Sequence, residues 1–136
     1  MLDSAKKGIS KKTKGKYLSE ISKWENSLMI VSEEIKFLSK LLGTEIFEPN
    51  IPNLYERLQE YSKKLQDLKN EEILLGKEIE KHKIYFAKEL EEEQKDLLIK
   101  RTQHQLRKDI NAFLKINSGL KLEIFNFTGN ILKKSR

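Results

Sequence analysis

The chain has 136 residues, of which 35% are charged and 38% hydrophobic, and it contains no cysteine. This excludes disulfides, a thiol nucleophile and thiolate metal sites, and no apolar run approaches the ~20 residues that span a bilayer. With only six Gly and two Pro, the composition predicts long helices in a single domain. We expect a soluble cytoplasmic protein, and interpret the Lys, Ile, Asn and Glu bias as that of an AT-rich bacterial genome.

The net charge of +6 is concentrated at the two ends. Residues 1–16 contain six Lys against Asp3, and residues 133–136 contain three basic groups, which leaves residues 17–132 slightly negative. Residues 1–16 have few apolar side chains, so we expect a mobile basic arm there and a bundle over 17–136. The basic start has no apolar stretch after it, so a secretory signal is not expected.

The first predicted helix runs over about 17–42. Its apolar residues return every 3.5 positions and form a heptad seam that requires partner helices. The seam consists of Tyr17, Ile21, Trp24, Leu28, Val31, Ile35, Leu38 and Leu42. Four further apolar residues lie beside this seam: Met29, Ile30, Phe37 and Leu41. The widened stripe predicts contact with two neighbours at once, and Gly43 predicts a left-handed helix end.

The connection over 44–53 contains Pro49 and Pro52, which exclude a continuous helix. Its apolar residues Ile46, Phe47 and Ile51 are expected to cover the end of the bundle, the alternative being a small exposed binding patch. Asn53, with Glu56 three residues later, resembles a capping box at the start of the next helix.

Two further seams follow, in helices predicted over about 53–88 and 93–132. The first has Leu54, Leu58, Tyr61, Leu65, Leu68, Glu72, Leu75, Ile79, His82 and Phe86. The second has Ile99, Gln103, Leu106, Ile110, Phe113, Asn117, Leu120, Ile124, Phe127 and Ile131. The alternation of Leu120, Leu122 and Ile124 could also indicate a strand, but a lone strand would have no partner, and we predict helix.

The register of the seam is lost over 87–96, and two interpretations compete. The chain could turn there, or one helical rod could continue through a stutter from about 54 to 132. The absence of Gly and Pro favours the rod, whereas the equal lengths of the two seams favour a turn. We predict the turn, and hence an all-α, up-down-up antiparallel three-helix bundle with coiled-coil-like heptad packing. The alternative is a helical hairpin or long rod that forms an intermolecular coiled coil.

Catalytic and metal-binding patterns are absent from the sequence. No nucleophile lies at a fixed spacing from His82 or His104, and no Glu precedes either His by three residues. No Gly-rich phosphate loop is present. We therefore expect no enzyme activity, no cofactor, no metal and no small-molecule ligand, and interpret His82 as a partly buried residue with a local hydrogen bond.

The polar seam residues Glu72, Gln103 and Asn117 suggest a structural role. A buried polar group at a seam position penalises wrong registers and oligomeric states. The alternative is that these seam positions open to solvent near an end of the bundle.

Two functions remain compatible with the sequence, and each depends on a different set of residues. The first is a non-enzymatic interaction or scaffold protein that associates with itself or another protein through Met29, Ile30, Phe37 and Leu41. The second is a nucleic-acid-associated accessory protein whose basic ends contact phosphates. Its candidate contacts are Lys6, Lys7, Lys11, Lys12, Lys14, Lys16, Lys133, Lys134 and Arg136.

Overall fold

The computed structural model describes residues 9–44, 46–87 and 92–132. They form three long helices, α1 (Lys11–Leu42), α2 (Leu54–Ala87) and α3 (Glu92–Asn130). These helices pack as an all-α three-helix bundle, as predicted. Residues 120–128 lie within α3, so the helical interpretation of this segment is confirmed. No helix in the described part of the chain is long and apolar enough to cross a membrane.

The three seams meet in one elongated core. Every apolar seam residue predicted within the helices is buried or half-buried. The most deeply buried include Ile21, Leu38, Leu65, Ile79, Ile110 and Ile124. Heptad spacing explains this result, because it returns a side chain to the same line along each helix.

Contacts between the helices establish the up-down-up order. Tyr61 packs on Phe127, with ring centroids 5.5 Å apart, and His82 lies against Gln103. Residue numbers therefore rise along α2 while they fall along α3, which makes this pair antiparallel. The chain therefore reverses direction between Ala87 and Glu92, and the alternative interpretation, one continuous helix from about 54 to 132, is wrong. Residues 88–91 themselves lie outside the described residues.

α1 begins at Lys11, six residues earlier than predicted, so the arm predicted over residues 1–16 is wrong for residues 11–16. The side chain of Ser10 accepts a hydrogen bond from the N–H of Thr13 at 3.1 Å and caps the helix. The N–H of Ile9 donates to Asp96 of α3 at 2.8 Å, and its side chain packs against the core. The Ser10 cap and the contact of Ile9 with Asp96 thus order the lysine-rich first turns of α1. Residues 1–8 lie outside the described residues.

The connection between α1 and α2 covers one end of the bundle through Phe47. Phe47 is buried and forms an isolated antiparallel bridge with Leu132, and the N–H of Glu48 donates to the carbonyl of Ile131 at 2.8 Å. Ile51 is half-buried, but Ile46 is exposed, so the predicted cover depends mainly on Phe47.

Two predicted helix-end conformations differ from the structure. Gly43 has a φ of −92° and not the left-handed value expected, and its N–H bonds the carbonyl of Lys40 at 3.1 Å in a tightened last turn. Asn53 has a positive φ of 57°, whereas an N-cap residue is extended. The helix after it starts from a turn in which the N–H of Leu54 bonds the carbonyl of Ile51 at 3.2 Å.

Candidate functional site

The most deeply buried polar contact joins α2 to α3. The Nε2 atom of His82 lies 2.6 Å from Oε1 of Gln103, and both side chains are fully buried. Because Oε1 can only accept, Nε2 of His82 carries the proton and donates. The hydrogen bond is long-range, so the local bond expected for His82 is wrong, and the side chain is fully buried where partial burial was expected.

Burial lowers the pKa of His82, and the hydrogen bond with Gln103 opposes this only partly. The imidazole is therefore neutral near pH 7. Its other nitrogen, Nδ1, is buried and has no hydrogen-bond partner among the described residues. The ring packs edge-on against Phe86 at 5.3 Å. A neutral, fully enclosed imidazole has no route to a substrate, so this group acts within the core.

Gln103 extends the polar contact to α1. Its Nε2 donates to Oε1 of Glu20 at 2.8 Å and to the carbonyl of Tyr17 at 3.2 Å. Arg107, one turn further along α3, holds both oxygens of the same Glu20 at 2.7 and 2.8 Å. The hydrogen bond from Arg107 is the main reason that the pKa of Glu20 is lowered. One carboxylate therefore binds a buried amide and a half-exposed guanidinium.

The same arrangement recurs 14 residues further along both helices. Glu34 of α1 accepts from the buried amide of Asn117 at 3.3 Å and from Lys121. Because the partners advance together, α1 and α3 run parallel with a constant offset. The interpretation of Gln103 and Asn117 as seam positions open to solvent is wrong, since both are buried. Glu72 is half-buried and pairs with Lys69 at 2.9 Å.

Two separate pockets lie along the face that α1 and α3 share, and we call this face the α1/α3 groove. The pocket nearer the C-termini of both helices is apolar and has a volume of about 490 Å³. Met29, Ile30 and Phe37 of α1 are 60%, 50% and 58% exposed, and Phe125 of α3 is 44% exposed. We call these four residues the apolar half. Glu33, Glu34, Leu38 and Lys121 complete its lining.

The second pocket lies nearer the N-termini of the same helices, is cationic and has a volume of about 760 Å³. Its basic side chains are Lys12, Lys16 and Lys23 of α1 and Arg107 of α3, which we call the cationic half. Of the two aromatic residues in its lining, Trp24 is buried and Tyr17 is half-buried. Glu20 is the acidic residue of this lining, and Arg107 already neutralises it.

The two halves occupy equivalent positions on α1. Ile30 and Phe37 lie 14 residues after Lys16 and Lys23, which is two heptads. A heptad returns a side chain to the same face of a helix. The face of α1 that lies beside α3 therefore carries lysines in its N-terminal part and large apolar residues in its C-terminal part. The hydrogen bonds from α3 to Glu20 and Glu34 have the same pattern in both parts.

The predicted site residues separate into three groups. Met29, Ile30 and Phe37 lie together in the apolar half, whereas Leu41 packs against the core. Lys12 and Lys16 lie in the cationic half, and Lys11 and Lys14 are elsewhere on α1, with Lys14 positioned 5.8 Å from the Phe86 ring. Lys6, Lys7, Lys133, Lys134 and Arg136 lie outside the described residues.

Three groove residues were missed by the sequence analysis: Lys23, Arg107 and Phe125. Lys23 could have been found, because it lies seven residues after Lys16. Arg107 and Phe125 belong to another helix, and only the packing of α3 on α1 brings them to the groove.

The described ranges contain no cluster of side chains that could bind a metal ion. No group of three or more His, Asp or Glu side chains there is placed to hold an ion. His104 is exposed on α3.

No family model, curated protein or solved structure matches this chain. The three-helix bundle and its two-part groove are therefore the features from which a function is proposed.

Proposed function

We propose that this protein is a non-enzymatic cytoplasmic interaction protein that associates with itself through the apolar half of the α1/α3 groove. The observation that carries the proposal is the exposure of Met29, Ile30 and Phe37 beside Phe125. Scattered apolar side chains are normal on a protein surface, but a contiguous group in a concave groove is typical of an interaction site.

The apolar half is not required for packing of the bundle core. The core face of α1 is already complete, because its seam residues are buried against α2 and α3. The apolar half lies beside that face, and no element in the described part of the chain covers it. Docking of another helical surface would remove two aromatic rings from water, and aromatic residues contribute strongly at interfaces.

A second copy of the chain fits this surface in one orientation. In an antiparallel, two-fold pairing centred near Glu33, Met29 of one copy lies opposite Phe37 of the other. The cationic halves then lie at opposite ends of the dimer. Parallel pairing would bring the two sets of lysines together and is opposed by charge repulsion. Glu33, near the axis, is already paired with Lys36 of its own copy at 3.1 Å.

Sedimentation velocity over a concentration series tests this proposal. We expect the wild-type chain to dimerise and the Ile30→Ser/Phe37→Ser variant to be monomeric. The control is Ile73→Ser/Leu74→Ser, which removes two exposed apolar residues from α2, away from the groove. This control should dimerise like the wild type. A wild-type chain that stays monomeric at the highest concentration would refute self-association. Equal loss of dimer in both variants would refute the assignment of the interface to the apolar half.

A further inference from the structure

The cationic half of the groove brings three lysines onto one concave surface whose lining contains one acidic side chain, Glu20. No ion pair within the described residues joins Lys12, Lys16 or Lys23 to an acidic side chain. Glu20 accepts two hydrogen bonds from Arg107, and Lys23 also lowers the pKa of this carboxyl group. Three ammonium groups and one guanidinium therefore share a concave surface with one carboxylate.

The spacing of these lysines indicates the shape of the ligand. Lys12 and Lys23 are separated by 11 residues on one helix, or about 16 Å at ~1.5 Å per residue. Ammonium groups spread over that distance cannot converge on one small anion. They match a linear polyanion, because a nucleic-acid strand advances ~3.4 Å per phosphate along the duplex axis and this row covers about five such steps.

We propose that the cationic half is a binding site for the phosphodiester backbone of nucleic acid, contacted without reading the base sequence. Lys12, Lys16 and Lys23 contact separate phosphates along one strand, about two and three steps of ~3.4 Å apart, and Arg107 borders the same strand. Glu20 acts as a positioning residue, since it fixes the guanidinium through two hydrogen bonds. The site is independent of self-association and uses a different half of the groove.

The lining favours nucleic acid over an anionic membrane. Membrane-surface binding by a helix needs large exposed apolar side chains beside its cations, and within the cationic half Trp24 is buried and Tyr17 is half-buried. A concave row also suits a strand better than a flat bilayer. The same burial means that bases do not stack on aromatic rings here, so binding is electrostatic.

Fluorescence anisotropy with a labelled random-sequence DNA duplex tests the site in the full chain. The test variant is Lys12→Gln/Lys16→Gln/Lys23→Gln. The matched control is Lys63→Gln/Lys77→Gln/Lys81→Gln, which makes the same change in net charge at exposed positions of α2. We expect the slope of log K against log salt to fall by about one for each lysine removed from a phosphate contact. The magnitude of this slope should therefore be about three smaller in the test variant than in the wild type, and the control should keep the wild-type slope.

Four outcomes would overturn the proposal. The wild-type chain could fail to bind DNA at low salt, or both triple variants could weaken binding equally, which would indicate only net charge. If DNA binding is lost in Lys6→Gln/Lys7→Gln but retained in Lys12→Gln/Lys16→Gln/Lys23→Gln, the site lies in the N-terminal residues. Stronger binding to anionic phosphatidylserine vesicles than to DNA would assign the cationic half to membranes. Circular dichroism melting of each variant separates these results from loss of the fold.

Discussion

Oε1 of Gln103 accepts a 2.6 Å hydrogen bond from Nε2 of His82 in the core of the bundle, near the C-terminal end of α2, where neither side chain contacts water. Through Glu20 and Arg107 the same amide connects α2, α3 and α1. A polar contact shared by three helices is satisfied in only one register, because sliding any helix by one turn would leave buried groups unpaired. This contact therefore contributes to specifying the alignment of the bundle.

The His82–Gln103 bond should show non-additive mutational energies. His82→Leu or Gln103→Leu alone leaves the other partner buried without its hydrogen bond, and we expect each to cost about 1–3 kcal/mol. The double variant His82→Leu/Gln103→Leu replaces both partners with apolar groups and should cost less than the sum. Urea unfolding of the four proteins measures this. Additive losses would show that the two side chains act independently.

The stability of the protein should fall as the pH is lowered through the range in which free histidine titrates. Burial lowers the folded pKa of His82 below its usual 6.5, so the unfolded chain binds the proton more readily. Stability is therefore complete above that pH and decreases below it, until the pH reaches the folded pKa. Glu20, whose pKa is lowered mainly by Arg107, adds a further loss below about pH 4.5.

The histidine contribution can be isolated with one substitution and one control. His82→Gln keeps a neutral donor in the core and should flatten the dependence of unfolding free energy on pH between about 5 and 7. His104→Gln, which removes the exposed imidazole of α3, is the control substitution. Thermal melting at a series of pH values measures both. An unchanged slope in His82→Gln would contradict the assignment.

Asn117 is expected to restrict the oligomeric state at some cost in stability. Its side chain is buried and bonds Glu34 at a long 3.3 Å. Asn117→Leu should raise the melting temperature, because an apolar seam residue packs without a polar desolvation cost, and should broaden the distribution of oligomers. Sedimentation velocity together with thermal melting measures both effects. No change in oligomeric state or cooperativity would remove the specificity role.

Two glycines should respond differently to alanine. Gly76 lies inside α2, and a Cβ there would meet nothing within 4 Å. Gly76→Ala should stabilise the protein by about 0.5–1 kcal/mol through helix propensity. Gly43 has an ordinary negative φ, and its Cβ would lie 3.7 Å from the nearest atoms, so Gly43→Ala should be close to neutral. A large loss at Gly43 would indicate the left-handed conformation predicted from the sequence.

Heptad spacing explains why the helices could be predicted from the sequence. Ile21, Leu65 and Ile110 fall on lines that must be buried whatever their partners are, so periodicity alone identified the core. The start of α1 could not be found in this way. Its first turns are lysine-rich, and they are ordered by the Ser10 cap and by a bond between Ile9 and Asp96, 87 residues away.

The sequence by itself determined which face of each helix is buried and which apolar residues remain outside, because both follow from positions along one helix. Met29, Ile30 and Phe37 could be recognised on that basis. The predicted up-down-up order already made α1 and α3 parallel, whereas only the tertiary structure decided the offset between them, since this depends on pairing between distant segments. That offset brings Arg107 to Glu20, places Phe125 beside the exposed residues of α1, and sets a cationic pocket and an apolar pocket along the same face.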